Sequence, residues 1–214
     1  RAGATVRVLD ARTDLGGRAR TAVHDGYHFN EGPHALYRAS DGARALRELG
    51  ISPTGGTPPL LRAKISLDGR LRVAPPRRAL AQFVGLLRRV GTDRNDPGLV
   101  RISAREWIEA RIADPVGRDV AAGAVRVSSY SGDLSTFSAD AAATQLHAAL
   151  RGVTYLHSGW AQLVDATKAA ATAAGATVEH TSKVTSIDTD GERHLVALGD
   201  GRRLITRAVV LAAG

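Results

Sequence analysis

Val8-Leu9-Asp10-Ala11-Arg12-Thr13-Asp14-Leu15-Gly16-Gly17-Arg18-Ala19-Arg20-Thr21 is the stretch on which the reading of this 214-residue chain turns. It grows out of Thr5 to Leu9, a short β-branched run that reads as a buried strand. Asp10 then stands at the tip of that strand, and a loop with paired glycines follows. A carboxylate in that place can accept hydrogen bonds from the hydroxyl pair of a ribose, as in dinucleotide folds. Gly16-Gly17 allow the backbone to approach a ligand closely, and Arg18 offers a forked donor to a pyrophosphate. The ordinary alternative, which spacing alone leaves open, is a strand, a glycine turn and solvated arginines.

The pentapeptide Ala-Gly-Ala-Thr-Val just before this stretch, at 2–6, recurs at 174–178. There it follows an alanine-rich helix expected from Trp160 to Ala173, with Leu163, Val164, Thr167, Ala170 and Ala171 on one face. A glycine closing a helix suits the left-handed C-terminal position. By analogy Arg1-Ala2 read as the last turn of a helix, so the chain is expected to begin inside a β-α-β unit. It contains no Met and starts on Arg1, which fits a processed chain or a piece of a longer one.

Farther along, Asp41 is expected to cap a helix closed by Gly50, and Ser52 to Pro59 is a Pro/Gly/Thr loop. Lys64–Leu67 and Arg70–Val73 read as a hairpin around Asp68-Gly69. Helices are expected over Arg77–Val90, from Ser103 through Trp107 and Ile112, from Asp114-Pro115, and from Ser138 to Leu150. The last part reads as strands at 177–179, 183–188, 194–198, 202–205 and 208–211, with turns at Asp190-Gly191 and Asp200-Gly201. The order predicts an α/β class: residues 1–60 and 151–214 as two parts of one nucleotide-binding domain, and 61–150 as a mainly helical insertion.

Composition narrows the chemistry. A chain 43% hydrophobic and 23% charged is globular rather than disordered or collagen-like. The absence of Cys excludes disulfides, thiolate catalysis and Cys-ligated zinc or iron–sulfur centres, and suits a reducing cytoplasmic setting. No run approaches the roughly 20 apolar residues of a membrane span, and there is no signal-peptide pattern. The net charge of +8 lies wholly in residues 1–100, which hold 17 basic and 9 acidic groups, against 12 of each in 101–214. Between Arg62 and Arg94 nine basic groups face only Asp68 and Asp93.

The opening stretch resembles the "V-x-E-A-x-x-x-x-G-G-R-x-x-T" signature of the FAD-dependent amine oxidase, protoporphyrinogen oxidase and phytoene desaturase superfamily. Asp25-Gly26-Tyr27-His28-Phe29-Asn30-Glu31-Gly32-Pro33-His34 is similar to its "G-x-x-F-D-x-G-P-H" segment. The segment from Val153 to Val164 resembles its "Y-x-x-G-G-x-x-x-L" helix start. Gly175–Ile187 and Ala208–Gly214 resemble its later strands. The resemblance implies a glutathione-reductase-like, Rossmann-like FAD domain with an inserted substrate domain, and hydride transfer to flavin from an amine or a C–C bond. It gives Asp10 the adenosine ribose, Gly16, Gly17 and Arg18 the pyrophosphate, Gly32 and Pro33 the vicinity of the flavin ring, and the Val184 backbone the adenine. Ala11, Arg12 and His34 complete that expected set, although a satisfied loop histidine is the ordinary reading of His34. Asp10 replaces the usual Glu, Asn30 the usual Asp, and His157-Ser158 the commoner Gly-Gly. The G-x-G-x-x-G loop and a C-terminal flavin segment are expected outside the chain, so residues 1–214 alone are expected to bind FAD weakly and to be inactive. The Phe29–His34 and Tyr155–Trp160 segments lean toward the desaturase-like branch.

Other constellations are weaker. The seven histidines are scattered, and His24 and His28 flank Asp25-Gly26, which reads as a turn, so no metal site is expected. Ser128, Ser129 and Ser131 lack a G-x-S-x-G turn. Trp107 and Trp160 read as core, and no residue's type and spacing force a catalytic role. The helix over 77–90 puts Leu80, Phe83, Val84, Leu86, Leu87 and Val90 on one arc and Arg77, Arg78, Arg88 and Arg89 on the other, at about 100° per residue. Its ordinary reading is an apolar face on the core with arginines in water. The alternative is peripheral contact with an anionic membrane, or a guard on access of an apolar substrate. A non-catalytic basic module binding anionic lipid or nucleic acid through residues 62–94 is the competing function. Nucleic acid is not expected as a partner, since aromatics make up 4% and no stacking platform is visible.

Overall fold

The structure, a computed structural model, describes residues 3–58, 64–67 and 69–212. In chain order the elements are β1 (Arg7–Leu9), β2 (Thr21–His24), β3 (Tyr27–Asn30), β4 (Leu36–Tyr37), α1 (Asp41–Glu48), β5 (Gly55–Gly56), β6 (Ile65–Leu67) and β7 (Arg70–Arg72). Then come α2 (Arg77–Asp93), α3 (Ala104–Arg111), α4 (Pro115–Ser129), α5 (Ala139–Leu150), β8 (Val153–Leu156) and α6 (Ala161–Ala173). β9 (Thr177–Glu179), β10 (Val184–Asp190), β11 (Arg193–Leu198) and β12 (Arg203–Thr206) close the chain. It divides into two compact units, one of Arg1–His34, Ala45–Thr54 and Leu156–Gly214, the other of Ala35–Arg44 and Gly55–Tyr155.

In the first unit the two copies of the pentapeptide lead into neighbouring strands. β1 and β9 pair in parallel, with Arg7 opposite Thr177 and Val8 opposite Val178. Gly175 has φ +91°, its amide bonds to the Thr172 carbonyl, and the Ala176 amide reaches back to Ala171. That is the left-handed helix closure the glycine predicted. β10, β11 and β12 form an antiparallel meander, and β2 and β3 a hairpin turning on Asp25 and Gly26, both with positive φ.

Two strand expectations are corrected here. β1 is not buried: β9 is its single neighbour among the described residues, and Val8 remains 39% exposed. Residues 208–211 form no strand, with Val210 and Leu211 largely exposed. β-Structure exists only through pairing, and no described strand lies alongside them. The expected hairpin around Asp68-Gly69 is present as β6 and β7, Asp68 itself lying outside the described residues, as do Pro59, Arg62 and the 213–214 terminus.

The second unit owes its stability to a helical core. Trp107, Ile112, Val90 and Val125 are its largest fully enclosed side chains, with Leu86, Leu99, Leu134 and Leu146 around them. Small residues, Ala121, Ala139, Ala142 and Ala143, let the helices approach closely. Helix starts follow local chemistry. Ser103 and Glu106 form a reciprocal capping box, and the Asp114 side chain accepts the Gly117 amide at 2.9 Å. α2 buries Ala79, Leu86 and Val90 while Arg77, Arg78, Arg88 and Arg89 stay exposed, which is the ordinary reading of its wheel.

Candidate functional site

The residues singled out by sequence all lie in the first unit, and the structure brings two groups of them together. At the tip of β1, the Asp10 amide bonds to the Glu179 carbonyl and the Asp10 carbonyl accepts the Ser182 amide. Thr181 likewise donates to the Arg12 carbonyl. The Asp10 carboxylate accepts the Arg12 amide at 2.8 Å, which turns the chain through Ala11 and Arg12. The carboxylate is therefore fixed at the C-terminal end of a parallel strand pair, the end at which open α/β sheets bind their ligands. His180, on the same edge, holds a buried Nδ1 without a partner among the described residues.

The glycine loop is built for close approach. Gly16 and Gly17 have φ +113° and +48°, values that L side chains rarely adopt. Gly17 and Arg18 are exposed, with open space where a Gly17 side chain would stand, whereas Gly16 packs toward Val164 of α6. The loop ends in a 3-10 turn over Gly17–Ala19 and is pinned from the other side by Gly32, where a Cβ would collide with the Arg18 carbonyl. Only glycine fits there. The Glu31 amide bonds the Arg20 carbonyl at 2.9 Å, and the side chains of Arg20 and Glu31 form an ion pair. Pro33 is partly buried and His34 exposed.

Val184 opens β10 opposite Leu198. Its strand is tied to the Asp10 edge by Arg202, which donates to Glu179 at 2.8 Å, to Asp200 at 2.7 Å and to Ser182 at 3.3 Å. Arg7 pairs with the same Glu179. Donation from the Arg202 amide and guanidinium lowers the Asp200 pKa, and the carboxylates of Glu179 and Asp200 raise that of Arg202.

Three residues that the sequence motifs contain, but to which they assign no contact, frame the site. Thr21, Asn30 and Gly159 form the junction between the β2–β3 hairpin and α6. Asn30 accepts the Trp160 amide at 2.9 Å, Thr21 accepts the Ala161 amide at 3.0 Å, and Gly159, at φ +66°, leaves no room for a side chain beside them. Gly159 preceding a helix was the available signal; its neighbours come from far away in sequence. Trp107 is core as expected, while Trp160 is only partly buried, at the α6 cap. No group of three or more potential metal ligands occurs among the described residues.

A carboxylate at the end of a parallel strand pair, exposed arginines and a positive-φ glycine pair form a donor and acceptor set that suits an anionic dinucleotide. The fold that carries this set is mixed α/β. The chain belongs to the flavin containing amine oxidoreductase family, whose sequence model matches residues 1–214. The family name implies a flavin cofactor.

Solved structures agree at the level of the fold. A wild-type putrescine oxidase bound to putrescine superposes with a TM-score of 0.73 at 17% identity, over 99% of this chain and 53% of that one. A protein from Pyrococcus furiosus gives 0.73 at 19%, over 94% and 50%. A fatty acid isomerase from P. acnes that produces CLA gives 0.67 at 12%, over 95% and 57%. The chain thus spans about half the length of the structures it matches. No curated protein matches it in sequence. No helix among the described residues is long and apolar enough to cross a membrane.

Proposed function

We propose that the chain is the cofactor-binding and substrate-domain part of an FAD-dependent oxidoreductase acting on an amine or on a C–C bond of an apolar molecule. Residues 1–60 and 151–214 are read as a glutathione-reductase-like FAD domain and 61–150 as the inserted substrate domain. FAD, when bound, supplies hydride acceptance. Asp10 holds the adenosine ribose through its carboxylate, while Ala11 and Arg12 shape the turn. Gly16, Gly17 and Arg18 meet the pyrophosphate, Arg18 as a bidentate donor. The Val184 backbone meets the adenine, and Gly32, Pro33 and His34 border the ring. No residue is assigned as acid or base.

The observation that supports this reading most is the close approach of the Arg18 carbonyl to Gly32, which packs the two motifs against each other, within a chain matched by the family over its whole length. The amine arm rests on the putrescine bound to a structural relative.

The test is expression of the complete open reading frame encoding this chain. A yellow protein with a flavin absorption band is expected. Gly32→Ala should empty it by displacing the Arg18 loop and Arg18→Ala should weaken retention, whereas Gly132→Ala, with open space at its α-carbon, should leave it unchanged. A folded, colourless complete protein would overturn the reading.

A further inference from the structure

We propose that the exposed segment Arg70–Arg78 is a docking surface for an anionic lipid bilayer. It stands on residues separate from the flavin reading. From Arg70 to Arg78 every residue except the partly buried Pro75 is exposed. Leu71 and Val73 are 71% and 77% exposed, and Leu80, one turn into α2, is 38% exposed. Interleaved with them stand Arg70, Arg72, Arg77 and Arg78, none of which pairs with a carboxylate among the described residues. Asp93, one of the two acids between 62 and 94, is buried and committed to Arg111 and Trp107, so it offers these arginines no compensation.

Strand geometry sorts the two chemistries. Arg70 and Arg72 lie opposite Leu67 and Ile65 on one face of the β6–β7 pair, and Leu71 lies opposite Ser66 on the other. The guanidinium groups of Arg70 and Arg72 and the Leu71 side chain thus leave β7 on opposite faces, and because β7 is an edge strand of a two-stranded pair, a bilayer lying along that edge meets both. Guanidinium groups meet lipid phosphates bidentately, and small apolar side chains beside them enter the headgroup and acyl boundary. This differs from the helix-borne contact considered from sequence, because the apolar face of α2 is spent on Ala79, Leu86 and Val90 in the core. Two exposed aliphatic side chains favour a bilayer over nucleic acid, which is met by stacking aromatics.

The experiment is co-sedimentation of the complete protein with phosphatidylcholine vesicles, with and without phosphatidylglycerol. Binding is expected to the anionic vesicles alone. The Arg70→Gln, Arg72→Gln, Arg77→Gln, Arg78→Gln variant should lose more than about tenfold in apparent affinity. Leu71→Ser with Val73→Ser should keep binding at low salt and lose it at high salt, where screening removes the electrostatic part. All six positions are exposed, and an unchanged melting temperature confirms that each variant folds. Absence of binding to anionic vesicles, or the same affinity in the arginine variant, overturns the proposal. Equal retention of duplex DNA that ignores the Leu71→Ser, Val73→Ser change overturns it in favour of a nucleic-acid surface.

Discussion

Thr21 and Asn30 face each other across the β2–β3 hairpin, their side-chain oxygens 3.1 Å apart, and between them they close the N-terminus of α6. The Trp160 amide donates to Asn30 and the Ala161 amide to Thr21, across 130 and 140 residues of sequence. The α6 cap residue, Trp160, makes no side-chain cap of its own. The helix takes its cap from the hairpin that leads into Gly32, so the junction also fixes the segment pressed against Arg18.

Asn30→Ala removes an acceptor shared by the Trp160 amide and the Thr21 hydroxyl. It should cost about 1–2 kcal/mol, the usual range for losing a helix cap, read as a lower urea midpoint. Asn30→Asp keeps the oxygens and adds negative charge at a helix N-terminus, so it should match or exceed the original stability. A neutral Asn30→Ala would show that water replaces the cap without loss.

Asp93 carries the polar part of the helical core. It is 4% exposed, accepts the Trp107 indole N–H at 3.0 Å and lies 3.0 Å from the Arg111 guanidinium, which also stands over the Trp107 ring. Asp93→Ala would leave a mostly buried cation unpaired and an indole N–H unsatisfied. A loss of about 3 kcal/mol is expected, measured by urea denaturation with Trp fluorescence and helical circular dichroism. Asp93→Ala combined with Arg111→Met should recover part of it. Failure of the second change to help would assign the cost to the indole alone.

His147 gives the core a pH dependence of definite sign. Burial first, then the positive charges of Arg94 and Arg151, hold its pKa below the ordinary 6.5. Between the lowered and the ordinary value the unfolded chain binds more protons than the folded one, so stability rises with pH there. The contribution is present in full above the ordinary value and is lost as pH falls through the folded one. His147→Gln should flatten the urea midpoint over the pH range just below the ordinary histidine value. The fall at lower pH should persist, because Glu106 and Asp133 have pKa values lowered by hydrogen bonds from Ser103 and Ser135.

The candidate site was legible wherever its chemistry is local. Asp10, the paired glycines and the Gly32 motif announce themselves because a tip carboxylate, a positive φ and a close backbone approach each demand particular residue types at that position. Gly175, Ser103 and Asp114 declared helix ends for the same reason, since a cap is satisfied within about four residues.

What the sequence alone determined, then, is the family, the mixed α/β order, most helix limits and the glycine-rich loop. Tertiary structure decided what depends on partners distant in the chain. It set β1 beside β9, left residues 208–211 unpaired, gave α6 its cap from Thr21 and Asn30, and joined Asp10 to Val184 through Arg202 and Glu179. It also turned the apolar face of α2 inward and left Leu71 and Val73 outside. The physical reason is the same throughout. Turns and caps are satisfied by neighbours a few residues away, but strand pairing and burial are properties of two segments at once, and no single segment carries the identity of its partner.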